Sequence, residues 1–99
     1  MYGKRTPHYA LAMVKTLLHA GKVRTTQSAL TGGAALGFSA MEMLEVVRAL
    51  SPKDFYKSMP THADHRVWHD AYRPTTGAGE VYVKLTVMDD VVIVSFKAL

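Results

Sequence analysis

The second half of the chain holds Lys57, His69, Arg73, Tyr82, Lys84 and Lys97, side chains that together could act on a phosphate. Cleavage of RNA without a metal needs a base for the 2′-hydroxyl, positive charge for the pentavalent phosphorus, and an acid for the departing oxygen. Histidine, lysine and tyrosine supply all three, so the set permits this chemistry without singling it out. Tyr82 and Lys97 have the clearest geometric argument. Glu80 to Leu99 reads as a β-hairpin, with apolar residues alternating on both sides of Asp89-Asp90 as a two-residue turn. In that register Val83 faces Phe96, Leu85 faces Val94 and Val87 faces Val92, which makes one face wholly apolar. The other face pairs Tyr82 with Lys97, Lys84 with Ser95, Thr86 with Ile93 and Met88 with Val91. An ordinary solvated sheet face has the same pattern.

Other chemistries find less support. His62, His65 and His69 have spacings that would align on a helix as a metal site. Pro60, Val67, Trp68 and Tyr72 favour loop and strand there, which breaks the ligand face. No acid is clearly placed to orient the rings, although Asp64 and Asp70 are close. No metal or other cofactor is therefore expected. The serines sit in no nucleophile elbow, and Gly32-Gly33 is too short for a phosphate-cradling loop. Glu42 and Glu45 lie early on an amphipathic helix and Asp89-Asp90 is explained by its turn, so no carboxylate pair stands out.

These side chains must be positioned by elements that change character along the chain. Thr6-Pro7 reads as an N-cap and first helical residue, opening a helix to about Ala20 with Leu11, Val14, Leu17 and Leu18 on one face. Lys22–Thr25 suggests a short extended segment, and Thr26 opens a weaker helix that ends near Gly32-Gly33 or Gly37. Ser39 with Glu42 forms a capping-box signature before a third helix carrying Met43, Leu44, Val47 and Leu50. Ser51-Pro52 ends that helix and can start one further turn. Phe55–Thr61 and Arg66–Pro74 are candidate strands, and in the second His69 and Arg73 point opposite to Trp68 and Tyr72. Gly77-Ala78-Gly79 links them to the hairpin. The methionines at 41, 43, 59 and 88 read as core filler. Helices followed by strands predict an α+β fold, with N-terminal helices packed on one face of an antiparallel sheet.

The length of 99 residues, 48% of them hydrophobic, fits one globular domain spanning 1–99. The absence of cysteine excludes disulfides, thiolate metal sites and a cysteine nucleophile, and it suits a cytoplasmic protein. No apolar run is long enough for a membrane helix, and Lys15 interrupts the apolar stretch after Lys4 and Arg5, which does not fit a secretory signal. The net charge of +4 is uneven, because every acid lies at Glu42 or later while Lys4, Arg5, Lys15, Lys22 and Arg24 precede it. That asymmetry suggests an anionic partner such as nucleic acid near the N-terminal half, or simply a basic soluble surface.

Several strings of residues are more specific than these statistics. They are K-R-T-P-H at 4–8, G-K-V-R-T-T at 21–26, S-A-L at 28–30 and D-F-Y-K-S-M at 54–59. Trp68 with Asp70, Y-R-P at 72–74, V-Y-V-K-L-T-V at 81–87 and V-S-F-K at 94–97 complete them. In order and spacing the chain resembles the MqsR-type toxins, the motility quorum-sensing regulator family of mRNA interferases related to RelE. The resemblance implies a RelE-like fold and a ribosome-independent endoribonuclease that cuts single-stranded mRNA at short GC-containing sites. It also implies a cognate antitoxin with structural zinc and a helix-turn-helix DNA-binding domain, so that zinc belongs to the partner. The family's catalytic lysine in F-Y-K-S-M falls on Lys57, its tyrosine in V-Y on Tyr82 and its final lysine in S-F-K on Lys97.

One position departs from the family pattern: His69 stands where the best-known member has glutamine after tryptophan. A histidine there can act as an acid or base at neutral pH, or can hydrogen-bond RNA as glutamine would. The expected catalytic set is thus Lys57, His69, Tyr82 and Lys97, with Lys4, Arg5, Arg73 and Lys84 contacting the RNA backbone. The rival expectation is a non-catalytic basic module that binds nucleic acid or regulates transcription only with its antitoxin.

Overall fold

The structure is a computed structural model that describes residues 3–99. Three helices, α1 (Leu11–His19), α2 (Gln27–Ala35) and α3 (Ala40–Arg48), cover one face of a six-stranded sheet. The strands are β1 (Val23–Thr25), β2 (Phe55–Pro60), β3 (Trp68–Tyr72), β4 (Thr75–Thr76), β5 (Gly79–Met88) and β6 (Asp90–Ala98). The order is β1-β6-β5-β3-β2, with β4 paired to β5. The sheet is antiparallel except that β1 runs parallel to β6. This is the expected α+β arrangement, in keeping with a RelE-like fold. Among the described residues no single helix is long and apolar enough to cross a membrane.

Val14 and Leu18 of α1, Ala29 of α2, and Met43 and Val47 of α3 meet Tyr72, Val81, Val83, Leu85, Val91, Ile93 and Phe96 of the sheet in one buried cluster. Of the methionines, Met43 is in this core and Met59 is half-buried, but Met41 and Met88 are exposed and fill nothing. The α3 cap is as expected: Ser39 N–H donates to Glu42 Oε1 at 2.8 Å and Glu42 N–H to Ser39 Oγ at 3.1 Å. A single 3₁₀ turn, Pro52–Asp54, follows α3.

The first helix starts later than Thr6-Pro7, at Leu11, with no side-chain cap. The preceding segment serves the sheet instead. Lys4 exchanges both backbone hydrogen bonds with Ser58, at 2.8 and 2.9 Å, covering part of the β2 edge. His8 and Tyr9 donate their amides to the buried Asp70 carboxylate at 3.1 and 2.9 Å. A buried charge must be hydrogen-bonded, and these amides satisfy it.

The closing hairpin has the expected register at its open end only. Tyr82 pairs with Lys97, Val83 with Phe96 and Lys84 with Ser95. Past Lys84 a β-bulge at Val94 shifts the pairing, so Leu85 meets Ile93, Thr86 meets Val92, Val87 meets Val91 and Met88 meets Asp90. Asp89 alone makes the tip, at φ +67°, a left-handed conformation that aspartate tolerates. The shift turns Val91 and Ile93 into the core, where the regular register had placed them on the polar face. Thr26 explains the bulge. Its amide donates to Ile93 O at 3.1 Å and its hydroxyl to Val94 O at 2.9 Å. The same hydroxyl caps α2 by accepting from Ala29 N–H at 3.1 Å.

Candidate functional site

The face of the sheet away from the helices carries a cross-strand row: Lys57 on β2 pairs with Ala71 on β3, Ala71 with Lys84 on β5, and Lys84 with Ser95 on β6. Ala71 is the small residue of the row, and the space above it lies between two lysines. This space is a cleft of about 360 Å³ lined by Lys57, Met59, His62, His69, Tyr82 and Lys84, among others. Tyr82 stands one row along, paired with Lys97, whose Nζ lies 5.5 Å from the phenol ring centroid. The structure thus brings Lys57, His69, Tyr82 and Lys97 onto one surface, with Lys84 at its centre.

The electrostatics are those of an anion site. Among the described residues no carboxylate lines the cleft. Burial lowers the Lys84 pKa, and the charges of Lys97 and Lys57 lower it further. An anionic ligand would relieve that repulsion. Burial also lowers His69, and Lys84 adds to this while Asp70 partly opposes it, so the ring favours its neutral form. The Tyr82 phenol is held above its ordinary value by burial and then by Tyr56, which keeps it protonated as a hydrogen-bond donor. A larger hollow of about 840 Å³ beside α3 is lined by Glu42, Glu45 and Asp54 with Lys53, a balance that disfavours phosphate.

The four expected backbone contacts are placed differently from one another. Lys84 is inside the cleft. Arg73 is exposed, its guanidinium 4.9 Å from the Tyr56 ring centroid and 3.4 Å from Glu80. Lys4 and Arg5 line a neighbouring hollow of about 580 Å³ with Tyr56 and Lys57, so this hollow and the cleft meet at Lys57. The Lys4 ammonium is already engaged, lying 4.4 Å from the Trp68 ring centroid and 2.9 Å from His8 Nδ1. Arg24, another base of the N-terminal half, lies at the far edge of the sheet and pairs with Asp90 at 3.6 Å.

Sequence alternation missed Tyr56. Counting back from the buried Ser58 would turn it into the core, but a β-bulge between Phe55 and Lys57 breaks the alternation. Phe55 packs on Tyr72 with ring centroids 5.5 Å apart, while exposed Tyr56 lies beside Lys57 and Arg73. His62 and His69 share the cleft, but His65 is not among its lining residues. Among the described residues no three histidine, cysteine, aspartate or glutamate side chains converge as a metal site.

A small α+β fold whose open sheet face carries a cleft with two lysines, two imidazoles and a phenol has the groups that bind and act on a phosphate. The comparison with known sequences makes the class specific. Residues 6–98 match the family described as motility quorum-sensing regulator, toxin of MqsA. The chain is 54% identical over 94 residues to the mRNA interferase toxin MqsR of Escherichia coli strain K12, covering 95% of this chain and 96% of that protein. The chain belongs to the MqsR toxin family.

Proposed function

We propose that this chain is the toxin of a toxin–antitoxin pair: an mRNA interferase, an endoribonuclease formed by a single RelE-like domain and acting in the cytoplasm. It cuts single-stranded mRNA at short GC-containing sites without the ribosome or a metal ion. The observation that carries the reading is the convergence of Lys57, His69, Tyr82, Lys84 and Lys97 on one sheet face, around a cleft that no carboxylate of the described residues lines, in a chain 54% identical to a named mRNA interferase. The RNA 2′-oxygen attacks the adjacent phosphorus in line and displaces the 5′-oxygen, leaving a 2′,3′-cyclic phosphate. Lys57 and Lys97 stabilise the charge that gathers on the phosphorane oxygens. His69 and Tyr82 move the proton or hold the scissile group. Lys4, Arg5, Arg73 and Lys84 contact the RNA backbone, and exposed Tyr56 offers a ring on which a base can stack. The cognate antitoxin carries the zinc and helix-turn-helix domains that the family resemblance implies.

The test is purified protein with end-labelled RNA, without ribosomes and in EDTA. Cleavage is expected in wild type, with Lys57→Ala and Lys97→Ala each slowed by about 10²-fold or more, the scale of a lost electrostatic contact to a developing oxyanion. Intact RNA with cleavage restored by a divalent ion would overturn the metal-free mechanism. Lysine variants that bind RNA less tightly but lose no cleavage or toxicity would favour the non-catalytic module.

A further inference from the structure

The loop 61–67, between β2 and β3, delivers a second imidazole to the cleft. Thr61 N–H donates to Val67 O at 2.8 Å, and Val67 N–H donates to Asp64 O at 3.0 Å. The Thr61 hydroxyl donates to Asp64 O at 2.7 Å and accepts from Asp64 N–H at 3.1 Å. Arg66 grips the Asp64 carboxylate through Nε at 3.1 Å and Nη2 at 3.2 Å. The turn is thus tied at both ends and in its middle. His62 sits inside this frame, exposed, and lines the same cleft as His69.

We propose that His62 is the general acid of RNA cleavage in this chain, with His69 as the general base. The assignment rests on the ribonuclease reading of the cleft and deepens it. Neutral His69 takes the proton from the 2′-hydroxyl as the 2′-oxygen bonds to phosphorus. The bond from phosphorus to the 5′-oxygen breaks, and protonated His62 gives its proton to that oxygen. The products are a 2′,3′-cyclic phosphate and a 5′-hydroxyl, with His69 protonated and His62 neutral, and exchange with water resets both rings.

The surroundings divide the roles. Burial and Lys84 disfavour charge on His69, whereas His62 is solvent-exposed at the rim. The charged and titratable groups that face the pair are Lys57 from β2, Tyr82 and Lys84 from β5, and Asp70 beside His69 on β3. Asp64, His65 and Arg66 share the loop with His62. Tyr82, held protonated, serves as a donor to a phosphate oxygen rather than as the base.

A leaving group that needs no proton separates acid from base. The substrate pair is one RNA with an ordinary 5′-oxygen at the cleaved position and the same RNA with a 5′-bridging sulfur. On the ordinary RNA, His62→Gln is expected to slow cleavage by about 10²-fold, the low end for a general acid. On the sulfur substrate it should cleave at near the wild-type rate, while His69→Gln stays slow on both. In pH–rate profiles His62→Gln should lose the alkaline limb and His69→Gln the acid limb. His62→Ala should behave as His62→Gln, which excludes an effect peculiar to one replacement. A His62→Gln rate equal to wild type on ordinary RNA, or equally depressed on both substrates, would overturn the assignment while leaving the ribonuclease reading intact. Wild-type protein that cleaves neither RNA, with or without a divalent ion, would overturn both.

Discussion

Tyr72 shows how one buried atom ties the fold to pH. Its ring is central to the core, yet its hydroxyl is buried with no hydrogen-bond partner among the described residues. Burial, with the Asp70 charge adding to it, raises the phenol pKa to about 12. The unfolded phenol ionises near 10, so between these values the folded state holds a proton that the unfolded state releases. Raising the pH through that window must therefore favour unfolding. Tyr72→Phe removes both the unpartnered hydroxyl and the titration. The variant is expected to match or exceed wild-type stability at pH 7 by up to about 1 kcal/mol. Its advantage should widen above pH 10, as read from urea denaturation at the two pH values. A variant clearly weaker than wild type at both would show that the hydroxyl has a favourable partner.

At the scale of elements, local chemistry was legible and long-range constraint was not. The Ser39–Glu42 cap and the Thr26 helix start follow from short spacings that chain neighbours satisfy among themselves. The pairing of Tyr82 with Lys97 matches the expected register because the extra residue at Val94 offsets a tip one residue tighter than Asp89-Asp90. The bulge at Val94 follows from Thr26, 68 residues away, and the bulge before Lys57 breaks an alternation that no adjacent residue announces. Both move residues across the sheet, which is why Ile93 was expected on the wrong face and Tyr56 was missed. Tyr82 and Lys97 were legible because they lie on the side of the Val94 bulge that keeps the expected pairing, and the family strings carry them together with Lys57. Register there is held by α2 against β6. A Cβ on Gly32 would lie 2.0 Å from Phe96 O, a backbone atom that cannot rotate away. Gly32→Ala is therefore expected to cost about 1–3 kcal/mol as helix and strand are forced apart. Because Phe96 precedes Lys97, RNA cleavage should fall as well. Gly77→Ala, where a Cβ meets nothing within 4 Å, should stay within about 0.5 kcal/mol of wild type in the same denaturation experiment. Equal stabilities for the two variants would show that α2 does not set the strand's position.

For the whole molecule, where the charge lies matters more than its total of +4. The acids beside α3 and the lysines of the open sheet face lie on different hollows, and a cationic track runs from the cleft through Lys57 toward Lys4 and Arg5, the path we propose for an RNA strand. The N-terminal segment belongs to that track only because Asp70 and Ser58 fix it to the strands that bear His69 and Lys57. Lys4 is a poor probe of the track, since its ammonium also rests against Trp68 and His8. Arg5 is exposed and tests the idea more cleanly. Each lost phosphate contact on a single strand should reduce the slope of log affinity against log salt by about 0.7. Arg5→Ala is therefore expected to flatten that slope by this amount, to weaken RNA binding at low salt, and to leave the cleavage rate at saturating RNA unchanged. Arg24→Ala removes the same formal charge at the opposite edge of the sheet, where the guanidinium pairs with Asp90. It should leave the slope as it was. If both variants flatten the slope equally, RNA responds to net charge alone, and no track leads from the cleft to the N-terminal segment.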